Sequence, residues 1–417
     1  MNWEQRLHWP VIGLVFLFPV VAASVKDGGS TVFTLLLLMG LVFGWPAWQS
    51  LSVWEKRVLK GFMIFFAVLV LTMINTEDYQ SALHKLERFV RMLAVIPVYL
   101  VLRRLRLDLS QVLFYGAMTG CVVLAAQAWY YSHILGHEVV NGVYHKIVFG
   151  DTAVLLAAIV AVGAITLVSR WWQYLGVAIA VMAGLYASLL SMTRGAWLLI
   201  PVVAMLWLWL YRRDISKKGW VAIGSAFLAI VVIGSVWMPQ QLVKGIESGM
   251  SDLKSYQEHS NSQTSWGARL NMWHDSITFF KQHPILGIGI GDFKVERQRL
   301  MDEGKANKGW TYGHAHSIYF HALATTGLVG FVTLVVCIII LPFTAMHRLW
   351  RLAANGTERF YVLGGLTVVT AFSVFGLSEG WLVRNPFMNE YLLLSAFFMV
   401  SAYSLLSHKK GPQQASP

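Results

Sequence analysis

The sequence predicts an all-α protein threaded many times through a membrane, and three observations carry that prediction. Apolar residues make up 56% of the chain and charged residues only 13%, and the mean hydropathy of +0.57 is far above that of a water-soluble domain. Apolar runs long enough to cross a hydrocarbon layer recur along almost the whole chain. Lys and Arg collect in alternate connections between those runs. Lipid offers no hydrogen-bond partners to the backbone, so spans of this kind are helices.

Twelve spans are expected, over residues 10–25, 31–48, 59–75, 89–102, 111–132, 148–168, 171–190, 195–211, 219–237, 316–343, 360–377 and 390–407. The shortest, 89–102, is also compatible with a re-entrant or interfacial segment. Basic residues fix the expected orientation. Lys56, Arg57 and Lys60; Arg103, Arg104 and Arg106; Arg212, Arg213, Lys217 and Lys218; and Arg348, Arg351 and Arg359 fall on one side, together with Lys409 and Lys410. Both termini are then cytoplasmic in a bacterial inner membrane. The chain divides into nine spans (1–237), a large external, periplasmic loop with helices of its own (238–315), three spans (316–407) and a cytoplasmic tail (408–417). No small-residue cleavage site follows the first span, so it is not read as a removable signal.

Composition also excludes classes of function. The net charge of +12 sits mainly in the connections on that one side, and no nucleic-acid motif accompanies it. Cys121 and Cys337 lie within spans and are expected as small packing residues. The absence of a G-x-x-x-x-G-K-[ST] run disfavours an ATP-driven transporter.

Within the external loop, Gly267 to Phe280 reads as an amphipathic helix with Leu270, Trp273, Ile277 and Phe280 on its apolar face. Pro284 closes it, and Gly287-Ile288-Gly289-Ile290-Gly291 follows as a flexible, tightly turning backbone beside Phe293. Cations on the external side oppose the charge bias of such proteins and need a partner or a task. Lys85, Arg88 and Arg91 stand at helical spacing before the fourth span, Arg194 at the mouth of the eighth, and Arg269 at the start of the loop helix. A bound anion explains them; snorkelling at the headgroup boundary is the alternative for the first three, and an ordinary solvated charge for Arg269.

His314, His316 and His321 stand where the loop re-enters the membrane. No Cys, Asp or Glu lies near them in sequence, so a metal site is not expected, and a single imidazole acting as general base is the simpler chemistry.

His316-Ser317, nine residues, then Gly327-Leu328-Val329-Gly330 resembles the H-[NSQ]-x9-G-x-x-G signature of the O-antigen ligases, the WaaL family within the O-antigen ligase/polymerase superfamily. The stretch from Gly267 to Phe293, with Arg269, Trp273, Pro284, Gly287, Gly289 and Gly291, is similar to that superfamily's external loop and glycine turn. Thr193-Arg194-Gly195 is similar to its Ser-Arg-Gly motif, with Thr for Ser.

The resemblance implies a glycosyltransferase of the GT-C type, moving a finished polysaccharide from undecaprenyl pyrophosphate to a sugar hydroxyl of lipid A-core. It implies no nucleotide sugar, no metal and no other cofactor; the partners are the lipid-linked O-antigen, lipid A-core and membrane lipid. His316 is then the base, with Arg194 and Arg269 on the pyrophosphate. Lys85 and Arg88 form a second rank for the same group or the acceptor's phosphates, and Arg91, Lys146 and Ser317 are outlying members of the cavity. Direct attack implies inversion at the anomeric carbon. Trp266, Trp273 and Trp310 offer faces to sugar or lipid, while Glu379 and Arg384 are either a structural pair or a substrate contact. Three other readings share most of these features. They are an O-antigen polymerase, a protein O-oligosaccharyltransferase and, in a different class, a lipid-linked oligosaccharide transporter, which has no use for a base.

Overall fold

The computed structural model describes residues 3–219, 264–306 and 312–407, with the isolated positions 247, 250, 251, 254 and 409. Its helices are α1 (Trp3–Val21), α2 (Gly28–Phe43), α3 (Val53–Thr72), α4 (Tyr79–Phe89), α5 (Arg91–Leu105), α6 (Ser110–Trp129), α7 (Lys146–Thr166), α8 (Trp171–Ser191), α9 (Arg194–Trp197) and α10 (Leu199–Tyr211). The loop supplies α11 (Ser265–Gln282) and α12 (Phe293–Asp302). The last part holds α13 (Ile318–Thr333), which runs on into α14 (Leu341–Trp350), then α15 (Gly356–Ser378) and α16 (Asn385–Leu406).

Among the described residues, eight helical stretches are long and apolar enough to cross a membrane. The protein is a polytopic all-α membrane protein. Three further expected spans are helices that fall short of that measure: α1 carries Glu4 and Arg6 near its start, α2 has 16 residues, and α5 has 15. The span expected at 219–237 lies almost wholly outside the described residues.

At ~1.5 Å per residue, α5 is only about 22 Å long. Its stretch from Val95 to Arg103 is buried by protein, so it is shielded from lipid along that length. Near its end Arg103 lies 3.0 Å from Glu55, and Tyr99 donates to the same carboxylate at 2.8 Å. That buried pair is hydrogen-bonded on both sides, the condition for tolerating charge in an apolar interior.

The helices also sort by what surrounds them. In α7, α15 and α16, 83% of the apolar window is buried by protein, against 33% in α8 and 22% in the α9–α10 stretch. Small residues make this central packing close: a side chain on Gly184 of α8 would collide with Ala153 and Ala157 of α7, and one on Gly163 with Phe114 of α6.

The expected basic connections gather at one end of the bundle. Arg57 and Arg348 both lie over Trp54, at 4.6 and 4.7 Å, and Arg359 lies over Tyr211 and Trp350. Lys409 pairs with Glu358 at 2.6 Å. The starts of α7, α9 and α13 and the end of α15 meet at the opposite end, where the loop helices pack.

Two expectations about the loop are corrected. The buried face of α11 is Asn271, Met272, Asp275, Ser276 and Phe279, while Ile277 is 42% exposed. Hydropathy misplaced that face because Asp275 turns inward to pair with the buried Arg297 at 2.6 Å. The glycine run, in turn, is locked in place. Gly287 and Gly289 have φ of 70° and 98°, and a Cβ on either would strike backbone, of Thr325 and Thr326 or of Thr76. The glycines are there for close approach, with their N–H groups committed.

Candidate active site

Two chain breaks converge at the end of the bundle opposite the basic connections. Between α8 and α9, Met192 takes φ of 56°, and Thr193 donates through Oγ1 to the carbonyl of Lys146 at 2.9 Å. That bond ties the Thr193-Arg194-Gly195 break to the first residue of α7. Gly150 on α7 leaves room for Ser191 and Thr193, and Gly195 leaves room for Ser378 at the end of α15. Thr193 therefore keeps the hydroxyl on which this arrangement depends, and Arg194 is delivered beside Lys146 and the residue after Ser378, which is Glu379.

The second break is the re-entry segment. Gly327 has φ of 61°, so α13 opens there. Ile288 and Gly289 donate to the carbonyls of Ala324 and Thr325 at 3.0 and 3.1 Å, and Leu328 and Val329 donate to those of Pro284 and Ile285 at 2.8 and 3.2 Å. The glycine turn and the Gly-x-x-Gly motif are thus two halves of one strand-like joint, which accounts for both motifs. From the other side, Asn75 donates to the Gly287 carbonyl at 2.9 Å, and Asp292 accepts from the backbone of Glu77 and Asp78.

Helix α11, fixed by that joint, holds the histidine segment. Trp273 donates to the carbonyl of Ala315 at 3.1 Å and stacks on Phe320. Trp273 is in this way a strut under the site; Trp266 is 38% exposed, and Trp310 lies outside the described residues. Arg269 stands one turn before Trp273 on the same helix face. Burial lowers its pKa; Glu379 and Asp151 oppose that fall and Arg194 adds to it. Arg269 and Arg194 are also the charges that Lys146 senses. Arg194, Arg269 and Lys146 therefore form one cationic cluster, with Glu379 at its edge.

His316 occupies the centre. Its φ of 47° is rare for a residue with a side chain, and its Nδ1 lies 3.1 Å from Oε2 of Glu379. The other carboxylate oxygen accepts from Nε of Arg384 at 2.7 Å. Burial would raise the Glu379 pKa, but the bond to His316 and the charge of Arg384 outweigh it and hold the group at about 2. An ionised carboxylate only accepts, so Nδ1 of His316 carries the hydrogen, and in the neutral ring the lone pair is on Nε2. Ser317 anchors the same turn by donating to the carbonyl of Gly376 at 3.1 Å.

His314 lies against His316, ring centres 4.3 Å apart, with its pKa lowered to about 4 by burial and by His316. His314, His316 and Glu379 place ligand atoms within 4.8 Å of one another. The acid missing near the histidines in sequence is thus supplied from 63 residues away. His321 is elsewhere: it is enclosed beside Phe293 and lines a small cavity with Lys85.

The remaining expected residues are placed apart from this cluster. Lys85 donates to the carbonyls of Ile290 and Gly291 at 2.9 and 3.3 Å, and burial lowers its pKa to about 8. Arg88 donates to the carbonyl of Val383 at 2.8 Å, and Arg91 reaches the carbonyl of Arg88 at 3.5 Å. Glu379 and Arg384 form an ion pair at 2.7 Å, and Glu379 is also the partner of His316. The sequence left Glu379 undecided because the bond to His316 joins α13 to the end of α15.

Residues 179–335, which include Arg194, Arg269, His316 and the Gly-x-x-Gly joint, match the family model described as O-antigen ligase. An uncharacterized protein of Haemophilus influenzae is 26% identical over 398 residues, covering 92% of this chain and 96% of its own. Over residues 179–335, a little over a third of its length, this chain is thus similar to the O-antigen ligase family.

Proposed function

We propose that the protein is an O-antigen ligase that moves a polysaccharide from undecaprenyl pyrophosphate to a sugar hydroxyl of lipid A-core at the periplasmic face of the inner membrane. The observation that carries this reading is the His316–Glu379 pair beside Arg194, Arg269 and Lys146. It combines a base whose free nitrogen is defined with a cluster of positive charge.

In this reading the acceptor oxygen attacks the anomeric carbon and its proton passes to Nε2 of His316. The bond from that carbon to the pyrophosphate oxygen breaks as the new glycosidic bond forms, with inversion. Glu379 holds the ring and offsets the charge of the imidazolium that results. Arg194, Arg269 and Lys146 take the negative charge that grows on the leaving pyrophosphate. Arginine suits that place, because its planar fork pairs two phosphate oxygens and stays charged.

His316 and Glu379 are assigned to proton transfer, and together with His314 they are not read as a metal site. Both oxygens of Glu379 are already engaged, one by a guanidinium at 2.7 Å, and a divalent cation would have to displace that charge. The orientation follows the charge bias: the basic end of the bundle is cytoplasmic, with both termini, and the site faces the periplasm.

The test is His316→Ala in reconstituted transfer. A drop in turnover of about 10²–10⁴-fold, with lipid-linked donor still bound, is the range for a lost general base. Undiminished transfer would sink the mechanism, and movement of lipid-linked glycan across the membrane without transfer would favour a transporter.

A further inference from the structure

Arg384, the ion-pair partner of Glu379, also lines a cleft of ≈ 300 Å³. Arg88, Arg384, His145, Tyr144, Ser30 and Asp27 are among the residues on its walls. Arg88 is anchored by Val383 and contacts His84 at 2.9 Å. Arg384 uses Nε for Glu379, and among the described residues its two terminal nitrogens make no hydrogen bond. Two guanidinium groups therefore meet one carboxylate on the wall, that of Asp27, while Glu379 behind them is already shared by His316 and Arg384.

The backbone adds to the same field. Arg384 caps the 22-residue α16 and His145 caps the 21-residue α7, so two long helices turn their N-terminal ends toward this region. Asp27 takes φ of 59°, and its N–H donates to the Tyr144 hydroxyl at 2.5 Å, which fixes the rim. Burial, and then Arg384, push the His145 pKa below its ordinary value. His145 is therefore a neutral wall of the cleft near neutral pH, and the positive charge comes from the arginines.

We propose that this cleft is a second phosphate subsite, separate from the Arg194–Arg269–Lys146 cluster, and that it takes a phosphate carried on the acceptor glycolipid. The two free nitrogens of Arg384 bind the phosphate as a fork while Nε stays on Glu379. Occupancy then fixes Arg384, Arg384 fixes Glu379, and Glu379 fixes His316, so the base is held firmly when an acceptor is seated. Arg384 is in this sense a positioning residue. The choice of glycolipid rests on the ligase reading; the subsite itself does not.

The experiment uses the full chain in nanodiscs of zwitterionic lipid. Lipid A-core, and the same glycolipid after removal of its phosphates, are titrated onto wild type and Arg88→Gln. Affinity for undecaprenyl pyrophosphate and thermal stability are measured alongside. Wild type is expected to bind the phosphorylated form at least about tenfold more tightly, roughly one charge-assisted contact. Arg88→Gln should lose most of that preference and keep its affinity for undecaprenyl pyrophosphate. In turnover, Arg384→Lys should lower kcat chiefly with the phosphorylated acceptor, since one ammonium cannot span Glu379 and a phosphate.

Competition by added anionic phospholipid, present in wild type and lost in Arg88→Gln, would support the subsite with a headgroup as a second occupant. Equal affinity of wild type for the two glycolipids, or a loss of undecaprenyl pyrophosphate binding in a stably folded Arg88→Gln, would overturn the proposal. If the Arg88-dependent preference is found but no transfer to lipid A-core occurs, the ligase reading fails and the subsite stands.

Discussion

Glu379→Gln removes one charge and keeps the shape of a side chain that is 1% exposed. Both oxygens are in use, one on His316 at 3.1 Å and one on Arg384 at 2.7 Å. Holding that carboxyl at about 2 instead of the ordinary 4.5 corresponds to about 3 kcal/mol of preference for the charged form. The amide forfeits this, and it also presents an NH2 group that can turn toward His316 and reverse the tautomer. About 3 kcal/mol withheld from the imidazolium-like transition state is a fall in kcat of about 10²-fold, and a wrong tautomer would carry it toward about 10⁴-fold.

The assay is single-turnover transfer from lipid-linked glycan to lipid A-core in detergent or nanodiscs, with donor binding measured separately. Donor affinity should change little, because Arg194, Arg269 and Lys146 remain. The sign for pH is also defined. Since the folded-state value is depressed, the carboxylate's stabilising bonds are complete above its ordinary value and are lost only as pH falls toward about 2. No loss of rate across the working range should therefore trace to Glu379. Wild-type kcat in a well-folded Glu379→Gln would refute the role given to this pair.

Other expectations follow from the same geometry. Arg194→Ala and Arg269→Ala should each cost about 2–5 kcal/mol in donor binding or transition-state energy, with partial rescue by Lys, measured as Kd for undecaprenyl pyrophosphate and as kcat/KM. Gly287→Ala places a Cβ against the backbone of Thr325 and Thr326 at a φ of 70°, so its Tm and its activity should fall together in a detergent-solubilised melt. Burial lowers the Lys85 pKa to about 8, so between that value and the ordinary 10.5 the unfolded chain holds this proton more tightly than the folded protein, and stability should rise with pH across that window. Melts taken across that window should show the rise in Tm, and a rise that persists in Lys85→Met would remove Lys85 as its origin.

Much of the fold is legible in the sequence because lipid leaves the chain few options. Eleven of the twelve expected spans coincide with helices, including α5, whose burial by protein offsets its short length. Charge bias likewise groups Arg57, Arg348 and Arg359 at one end. Hydropathy fails where polar residues turn inward in pairs. Asp275 and Arg297 rotate the buried face of α11 away from the one its apolar residues suggest. It also says nothing of why the glycines lie where they do, since the joint between Ile288 and Ala324 is a contact in space.

The site divides in the same way. His316, Arg194 and Arg269 stand out in sequence because charge and imidazole are conspicuous beside hydrocarbon. Lys85 stood out for the same reason, yet in the fold it ties down the glycine turn. The link from Glu379 to His316 shows only in the fold, where Gly195 and Gly376 allow α9 and α13 to approach the end of α15 closely.

The most direct test of the account is transfer by the purified protein with lipid-linked glycan as donor, offered lipid A-core or a second lipid-linked glycan, without nucleotide and with chelator present. Transfer to lipid A-core that is lost in His316→Ala is the predicted result. Extension of the glycan on its lipid carrier would make the protein a polymerase, and no transfer to either acceptor would contradict the account.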